Sequence, residues 1–256
     1  MTGQLAGKRA FITGGGGALG RASGLAFASA GASVAVVDIV ADAADETVRQ
    51  IVAQGGKAVS IVADVRDEEQ VRRAVAEAVE ALGGLDTLFN NAGVMPHQDR
   101  SVLDTDLELW QTITAINLHG TALCSKYAVP HIVEAGGGAV VNMSSFLAVM
   151  GCSYPQDAYA ASKGAIAALT RSMAVQLGPR RIRVNALAPG PILTAHVEQF
   201  FPDPEARQLR LNRVPLGRFG TPEDVAALAL FFASDTASWL TGQVVVLDGG
   251  ISCNYL

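Results

Sequence analysis

The sequence is poor in cysteine, has no long apolar run and carries no excess of basic residues. The longest apolar run, Val225 to Ala233, is about half of a membrane span, and no long apolar segment occupies the N-terminus as in a signal peptide. The cysteines, Cys124, Cys152 and Cys253, have neither the spacing of metal ligands nor that of a disulfide framework. The net charge of −5 argues against nucleic-acid binding, which is typical of proteins with an excess of basic residues. We therefore expect a cytoplasmic protein that has no metal site and binds neither membranes nor nucleic acids.

The chain instead shows a regular alternation of short apolar runs and longer alanine-rich segments. Of the 256 residues 50% are hydrophobic, enough to fill the core of one domain covering residues 1–256. Strands are predicted at Arg9–Thr13, Ser33–Asp38, Ala58–Ala63, Thr87–Asn90, Ala139–Asn142, Ile182–Leu187 and Val244–Leu247. Helices are predicted at Leu19–Ala30, Ala41–Gln54, Asp67–Leu82, Asp106–Glu134, Asp157–Leu177 and Pro222–Ser234. This alternation predicts an α/β fold, with about seven parallel strands and helices on both faces.

One proline-rich segment, residues 189–216, interrupts the alternation. It contains the aromatic pair Phe200 and Phe201 and is too long for an ordinary connection between a strand and a helix. We expect it to be irregular and to cover a substrate site as a lid.

The first predicted strand runs into the glycine-rich stretch TGGGGALGRA. A glycine turn between a strand and a helix lets the backbone approach a phosphate, which also meets the free N–H groups at the helix start. Gly15, Gly17 and Gly20 match G-x-G-x-x-G, although a stretch this rich in glycine fits more than one register. A Walker A loop is excluded because Gly20 is followed by Arg21 and Ala22. A dinucleotide site is the favoured interpretation, and a flexible turn is the alternative.

Three further strand ends carry polar residues where a dinucleotide would lie. Asp38 can accept hydrogen bonds from the adenosine ribose and would repel a 2′-phosphate, which favours NAD over NADP. The alternative for Asp38 is a cap on the next helix. Asp64 can either bind the adenine amino group or cap the helix that follows it. The fourth strand ends in Asn-Asn-Ala-Gly at residues 90–93, which suits either a tight left-handed turn or a backbone wall against a cofactor.

Tyr159 and Lys163 lie four residues apart in the alanine-rich stretch AYAASKGAIAALT, which favours helix. Residues four apart share one helical face, so the ammonium can stabilise the phenolate and lower the tyrosine pKa from about 10. The tyrosine can then exchange a proton with a substrate hydroxyl. By itself the spacing is weak, because such pairs also occur on solvated helix faces. Ser145 follows the fifth strand, and its hydroxyl can bond the substrate oxygen.

Together these residues resemble the short-chain dehydrogenase/reductase family over essentially the whole chain. The matching residues are Thr13-Gly14 through Gly20, Asp38, Asp64-Val65, Asn90-Asn91-Ala92-Gly93, Asn117, Ser145, Tyr159 with Lys163, Asn185 with Pro189-Gly190, and Asp248-Gly249-Gly250. The resemblance implies a Rossmann-type doubly wound sheet and a catalytic set of Asn117, Ser145, Tyr159 and Lys163. It also implies that NAD is bound by Gly14, Gly17, Leu19, Gly20, Asp38, Asp64, Val65, Asn91, Ala92, Gly93, Tyr159, Lys163, Gly190, Ile192 and Thr194.

The resemblance assigns a role to each member of the catalytic set. Tyr159 would be the general acid/base, and Ser145 would orient the carbonyl or hydroxyl oxygen. Lys163 would bond the nicotinamide ribose and depress the tyrosine pKa, so the pair should work only with NAD bound. Asn117 would hold a water that relays protons from the lysine. The hydride passes between the cofactor and the substrate carbon, so the protein supplies orientation and proton transfer.

Two departures from the family pattern affect these expectations. The glycine loop of the family reads T-G-x-x-x-G-x-G, but this chain has Ala18 at the second glycine, where a methyl group can crowd the pyrophosphate. The serine-to-tyrosine interval is one residue longer than is common in the family when Ser145 is the partner. Ser144 therefore stays as the alternative partner of Tyr159.

The substrate pocket is expected between the loop Phe146–Gln156, the segment Val94–Gln98 and the lid. Its apolar members would be Phe146, Met150, Tyr154, Phe200 and Phe201, and its polar candidates His97, Gln156 and His196. The predicted substrate is an uncharged secondary alcohol or ketone of modest size.

Two other functions compete with that of an NAD-dependent dehydrogenase. A 3-oxoacyl-thioester reductase acting on acyl carrier protein would need NADPH and a basic docking surface, which Asp38 and the net charge oppose. A dinucleotide-binding protein without catalysis is opposed by the intact serine, tyrosine and lysine. The predicted helices Asp106–Glu134 and Asp157–Leu177 are apolar on more than one face, which predicts self-association. The family resemblance implies a homotetramer.

Overall fold

The computed structural model describes residues 3–198 and 203–254, and within them seven parallel strands form one sheet. The strands are β1 (Arg9–Thr13), β2 (Ser33–Asp38), β3 (Lys57–Val62), β4 (Thr87–Asn90), β5 (Gly138–Met143), β6 (Ile182–Pro189) and β7 (Val244–Leu247). Their order across the sheet is β3-β2-β1-β4-β5-β6-β7. Each predicted strand is present, with its ends moved by no more than two residues.

The central strands are buried on both faces, as their near-continuous runs of branched apolar residues require. In β2, all four residues from Val34 to Val37 are fully buried. The chain winds outward from β1 to β3 and then crosses back, so that β4 lies on the other side of β1. Such a reversal opens a crevice at the carboxyl ends of the strands. The predicted α/β fold with a doubly wound, Rossmann-type sheet is confirmed.

Helices cover both faces of the sheet. They are α1 (Ala18–Ser29), α2 (Ala41–Ala53), α3 (Glu68–Leu82), α4 (Leu107–Thr114), α5 (Gly120–Glu134), α6 (Asp157–Leu177), α7 (Ala195–Glu198), α8 (Pro204–Leu211) and α9 (Pro222–Ala233). One apolar core contains Phe27, Ile51 and Phe232 from α1, α2 and α9. A second core contains Val75 and Ile132 from α3 and α5. Burying each such side chain contributes roughly 1.5–3 kcal/mol.

The helix predicted over Asp106–Glu134 is interrupted by a π-turn at Ala115–His119. The N–H of Gly120 donates to the carbonyl of Ala115, five residues earlier, in place of the usual four. Such a turn inserts one extra residue, and it frequently occurs at functional sites. Here it holds Asn117 on the inner side of the helix, with only 1% of its surface exposed.

The segment 189–216, predicted to be irregular, contains the short helices α7 and α8. Helix α8 begins where it does because the Asp203 carboxylate accepts hydrogen bonds from the N–H groups of Glu205 and Ala206. Pro204 then occupies the first helical position, where its missing N–H costs nothing. These start signals are present in the sequence, so the expectation of an irregular segment was wrong for residues 204–211.

Among the described residues, no helix has the length and apolar character needed to cross a membrane.

Candidate active site

A cleft of about 960 Å³ runs along the carboxyl ends of the strands. Every residue predicted to bind the cofactor lines it, from Gly14 and Asp38 at one end to Ile192 and Thr194. Ser145, Tyr159 and Lys163 line the same cleft. Asn117 does not, and lies behind its wall. Residues from six different strand ends therefore lie in one cleft, at the edge of the sheet where the strand order reverses between β1 and β4.

The glycine loop at the end of β1 is packed too closely for side chains. A Cβ on Gly20 would collide with the Gly14 carbonyl oxygen, and a Cβ on Gly14 would lie 2.9 Å from Ala92 Cα. Gly14 also has a φ of 61°, which glycine adopts without strain. Gly17 is the N-cap of α1 and makes no side-chain cap bond, and it lines the cleft with Leu19 and Gly20. Uncapped N–H groups at the start of a helix can bind an anion. Ala18, the departure from the family pattern, is exposed and lines the cleft.

Asp38 ties the end of β2 to the glycine loop. Its carboxylate accepts hydrogen bonds from Gly16 N at 2.9 Å and from Val40 N at 3.0 Å. The alternative in which Asp38 caps the next helix is wrong, because the N-cap of α2 is Val40 and lacks a side-chain bond. The neighbour Ile39 also lines the cleft and is 58% exposed. An acidic and an apolar side chain therefore stand where the adenosine ribose would lie.

Asp64 lines the cleft at the end of β3 and is held by Arg66. The Arg66 Nε donates to both carboxylate oxygens, at 3.0 and 2.9 Å, and this hydrogen bonding lowers the pKa of Asp64. The alternative in which Asp64 caps the following helix is wrong. Asp67 is the N-cap of α3, and its carboxylate accepts from the N–H groups of Glu69 and Gln70.

In the segment 90–93, the last three residues line one wall of the cleft, and Asn91 braces the glycine loop. Asn91 Nδ2 donates to the carbonyl oxygens of Thr13 at 2.9 Å and of Gly14 at 3.0 Å. None of the four residues has a left-handed conformation, so the reading as a left-handed turn is wrong. A Cβ on Gly93 would lie 3.2 Å from both Asn117 Oδ1 and Lys163 Nζ. Glycine at position 93 thus lets the wall approach Asn117 and Lys163.

Ser145, Tyr159 and Lys163 come together where β5 ends and α6 begins. The hydroxyl of Ser145 lies near enough to the phenol of Tyr159 to act on its pKa. Lys163 Nζ donates to the Met143 carbonyl at 2.8 Å and lies 5.6 Å from the centroid of the Tyr159 ring. The hydroxyl of Ser144 donates to the Lys163 carbonyl at 2.9 Å, so it braces α6 from within the core. Of the two serines, Ser145 is the one that contacts the tyrosine.

The electrostatics of this pair differ from the sequence-based expectation. Burial raises the pKa of Tyr159, and the hydrogen bond from Ser145 opposes that shift. Burial also lowers the pKa of Lys163, to about 8. The expectation that Lys163 depresses the tyrosine pKa is therefore not met in this structure. Its amine lies over the ring and bonds a carbonyl, while desolvation of the phenolate dominates.

Asn117 links three elements around the tyrosine. Its Oδ1 accepts from Val94 N at 2.8 Å, and its Nδ2 donates to Val94 O at 3.1 Å and to Ser162 Oγ at 3.0 Å. Ser162 Oγ in turn donates to the Tyr159 carbonyl at 2.7 Å. The side-chain amide thus joins the π-turn, the wall after β4 and the catalytic helix.

Asp99 is a buried residue near the site that the sequence analysis missed. Its carboxylate is fully buried and accepts hydrogen bonds from Ala158 N at 3.2 Å and from Tyr159 N at 2.8 Å. Helix α6 has Gln156 at its N-cap, without a side-chain cap bond, so Asp99 caps α6 from another loop. A second bond between the same segments joins Val102 N to the Asp157 carboxylate at 2.7 Å. No local motif reveals a cap that comes from so far along the chain.

The substrate end of the cleft is mainly apolar, as predicted. Its walls are Val94, Met95, Pro96, Phe146, Leu147, Tyr154, Gln156 and Ala195, together with Arg210. Arg210 was not predicted, whereas Met150 and His97 were predicted and do not line the cleft. Phe200, Phe201 and the side chain of His196 lie outside the described residues. The described residues contain no group of three or more potential metal ligands.

Comparison with known proteins agrees with this geometry. The family described as Enoyl-(Acyl carrier protein) reductase matches residues 16–252. A 3-oxoacyl-[acyl-carrier-protein] reductase of Thermotoga maritima is 39% identical over 97% of this chain and 99% of that protein. A cyclohexanol dehydrogenase of an Acinetobacter species is 37% identical over 97% and 96% of the two chains.

A solved structure shares the fold as well as the sequence pattern. It is a 7α-hydroxysteroid dehydrogenase complexed with NADH and 7-oxo glycochenodeoxycholic acid, 36% identical, with a TM-score of 0.91. The alignment covers 96% of this chain and 94% of that one. With the serine, tyrosine and lysine gathered at the switch point of the sheet, these similarities identify the chain as a member of the short-chain dehydrogenase/reductase family of oxidoreductases.

Proposed function

We propose that this protein is an NAD-dependent oxidoreductase that interconverts a secondary alcohol and a ketone. The observation that carries the proposal is that Ser145, Tyr159 and the buried amine of Lys163 come together in one cleft. These groups lie in a cleft lined by all the residues expected to bind the cofactor. Cyclohexanol, the alcohol in the name of one relative, belongs to the proposed substrate class.

The side chains of this chain have distinct tasks in the proposed reaction. In the oxidation direction, Tyr159 takes the hydroxyl proton while Ser145 holds the substrate oxygen by a hydrogen bond. NAD held in the cleft would supply the acceptor for the hydride that leaves the carbinol carbon. In the reverse direction the phenol returns its proton to the carbonyl oxygen. The raised pKa of Tyr159 keeps the phenol protonated at neutral pH, which suits it as the acid in reduction. In oxidation the proton is accepted by the phenolate, whose share rises with pH.

The glycine loop fits a dinucleotide because the absence of side chains leaves room for the pyrophosphate to approach the backbone. At Gly14 and Gly20 a Cβ would meet neighbouring backbone, and the uncapped start of α1 offers N–H groups to a pyrophosphate. Asp38 supports NAD over NADP, since its carboxylate would repel a 2′-phosphate and would accept hydrogen bonds from the ribose hydroxyls. We include Asn117 as the residue that positions the wall after β4, and residues 189–216 as the lid over the substrate.

A 3-oxoacyl-thioester reductase using NADPH is the second candidate. It is supported by the Thermotoga maritima relative, which is 39% identical over nearly its whole length. Asp38 and the exposed Ile39 oppose it, because they stand where a basic residue would bind the 2′-phosphate.

The test assays each of the two cofactors with each of two substrate classes. Turnover is measured from the absorbance of the reduced cofactor. The protein is assayed with NAD and NADP on a panel of secondary alcohols, and with NADH and NADPH on acetoacetyl-coenzyme A. Turnover of alcohols with NAD supports the proposal. Turnover of the thioester with NADPH alone would replace it by the second candidate. Cofactor binding without turnover in any combination would favour a dinucleotide-binding protein without catalysis.

We also propose that the protein self-associates, as a homotetramer. Val175 on α6 is 80% exposed and Trp239 is fully exposed in the single chain, which leaves apolar surface for a partner subunit. Light scattering at micromolar protein concentration measures the mass. A monomeric mass would contradict the proposal.

A further inference from the structure

We propose that Gln156 binds a second oxygen of the substrate, carried by the carbon next to the reacting one. The substrate is then a vicinal diol, and its oxidation product an α-hydroxyketone. The inference rests on the proposed function, because it names the substrate class of the same cleft. It keeps the expectation of an uncharged secondary alcohol and adds one polar group to it.

The amide of Gln156 is buried and unpaired. Gln156 lines the substrate end of the cleft, and only 9% of its surface is exposed. Its Nε2 is enclosed and has no hydrogen-bond partner in the described part of the chain. A buried amide nitrogen without a partner costs free energy, and native proteins keep few of them. A ligand that pairs this amide would recover that free energy on binding.

The start of α6 does not need the side chain of Gln156. The backbone of Gln156 begins the helix, since its carbonyl accepts from Ala160 N at 2.9 Å. The capping that an N-cap side chain usually provides comes from Asp99, which accepts from the N–H groups of Ala158 and Tyr159. The backbone at position 156 is therefore fixed, while its amide is left for another task.

Gln156 stands beside the residue that exchanges the proton. It is the N-cap of α6, and Tyr159 is the third helical residue after it. Side chains at these two positions lie close enough to meet in a capping box, and both line the same cleft. A substrate whose reacting oxygen lies against Tyr159 therefore has its neighbouring carbon within reach of the Gln156 amide.

A hydroxyl is the group that suits this amide best. The terminal torsion of glutamine is broad and two-fold, so a half turn exchanges Nε2 and Oε1 and presents either one to the cleft. A hydroxyl both donates and accepts, so it can pair with either end. The neighbouring walls include Val94, Phe146 and Leu147, which offer no side-chain partner to the amide. A substrate with a methyl group in place of the hydroxyl would leave the amide unpaired.

The second hydroxyl takes no part in the redox step. One carbinol carbon loses a hydride to NAD, and its hydroxyl loses a proton to Tyr159. The second hydroxyl stays unchanged on the neighbouring carbon. Gln156 therefore determines specificity and is not a proton donor or acceptor in the reaction.

The test compares diols with alcohols of the same shape. The probes are 1,2-, 1,3- and 1,4-cyclohexanediol, each paired with the methylcyclohexanol of the same ring position, and 2,3-butanediol paired with 3-methyl-2-butanol. For the wild type we expect kcat/KM to favour the vicinal diols over their methyl partners by about 10- to 100-fold, the cost of an unpaired buried group. The preference should be smallest for the 1,4-diol. No preference for any diol, or the largest one at the 1,4-position, would overturn the proposal.

Gln156→Leu removes the amide and keeps a side chain of similar size. It should reduce the preference for vicinal diols to within about threefold, and the methyl partners should react at least as well as with the wild type. Gln176→Leu is the matched control, because Gln176 is an exposed residue of the same helix whose amide donates to Ser172 Oγ. It should keep the preference. An equal loss with diols and methyl partners in Gln156→Leu would contradict a role in specificity.

A stability measurement separates substrate binding from a structural role. Because the amide is unpaired in the free protein, the urea midpoint of Gln156→Leu should equal or exceed that of the wild type. A lower midpoint than in both the wild type and Gln176→Leu would show that the amide already has a partner, and would overturn the proposal.

A binding measurement keeps the inference testable if no alcohol is oxidised and the proposed function fails. The same probes are then titrated into the three proteins and followed by ligand-detected NMR. Vicinal diols should bind the wild type and Gln176→Leu at least about tenfold more tightly than their methyl partners, and Gln156→Leu should lose this difference. Absence of binding, or equal binding of diols and methyl partners to the wild type, overturns the proposal.

Discussion

The two ends of the cleft are built from different kinds of structure. At the cofactor end, the contacts come from residues that directly follow β1, β2, β3 and β4, and the wall is largely backbone packed around glycines such as Gly14 and Gly20. At the substrate end, the walls are side chains on long loops and on the short helix α8. The first end needs one geometry, because a side chain on its glycines would fill it. The shape and chemistry of the second end can change with almost any substitution in its loops. This is how one fold can act on many different substrates.

Tyr159 lies between the two ends, and removing its hydroxyl should have the largest effect. In Tyr159→Phe we expect kcat to fall by about 10²- to 10⁴-fold, because the general acid/base is lost. The Kd for NADH should change little, since the phenol is not needed to hold the dinucleotide in its cradle. Tyr127→Phe, which removes a phenol on α5 bonded to Glu68, is the control. A near-normal kcat in Tyr159→Phe would remove the basis of the proposed mechanism.

Asp38 tests the cofactor end alone. Asp38→Asn should raise the Kd for NAD by about 10-fold and reduce the discrimination against NADP, because a charged acceptor for the ribose is lost. Fluorescence titration of the reduced cofactors measures both constants. Asp42→Asn removes an exposed carboxylate at the start of α2 and should change neither. An unchanged ratio of NAD to NADP affinity in Asp38→Asn would show that another group selects the cofactor.

A substitution at Asp99 tests the start of α6, where the loop that contains Asp99 caps the helix that carries Tyr159. In Asp99→Asn the charged cap on the N–H groups of Ala158 and Tyr159 is lost, and we expect kcat to fall by about 10-fold. The Kd for NADH should stay within about twofold, because the cofactor end is not touched. Asp104→Asn, in the same loop and bonded to Ser101, is the control. Equal losses in kcat and cofactor affinity would indicate general unfolding instead of mispositioning.

The smallest expected effect concerns the buried amine of Lys163, which should make the free energy of unfolding depend on pH. Its pKa is lowered to about 8 from an ordinary 10.5, so between these values the folded protein has lost a proton that the unfolded chain still holds. The free energy of unfolding of the wild type should therefore rise with pH in this window, by about 1–2 kcal/mol from pH ~7.5 to ~9.5. Lys163→Met lacks this group, so the gain is read as the difference between the two proteins in urea unfolding. A difference that does not change with pH would mean that the amine is not desolvated as described.

The parts of the site that follow from local patterns were the parts that could be predicted. The glycine loop, Ser145 and the pair Tyr159 and Lys163 each adjoin a strand end or share a helix face, so their spacing carries the information. The alternative helix-capping roles of Asp38 and Asp64 were wrong for a local reason as well. The N-caps of the two helices, Val40 and Asp67, lie two and three residues later than those interpretations required.

Other features depend on segments that are distant in the chain. Asp99 caps a helix that begins 58 residues later, and the π-turn places Asn117 against both Val94 and Ser162. Arg210 reaches Cys152 from a helix on the far side of the cleft. None of these pairings has a periodic or sequential signal, because hydrogen bonds between loops impose no spacing on either partner.

By itself, the sequence determined the alternation of strands and helices, the glycine cradle at the end of β1 and the chemical groups of the proposed catalytic set. These follow from apolar periodicity and from residue types whose backbone or proton chemistry is specific. Only the tertiary structure decided how deeply those groups are buried, which neighbours they contact and in which direction their pKa values shift. It buried Tyr159 and Lys163 so that desolvation dominates both pKa values, and it brought Ser145 and Arg210 into the lining of the same cleft. Burial and charge depend on what surrounds a residue in space, and the order of residues along the chain does not contain that directly.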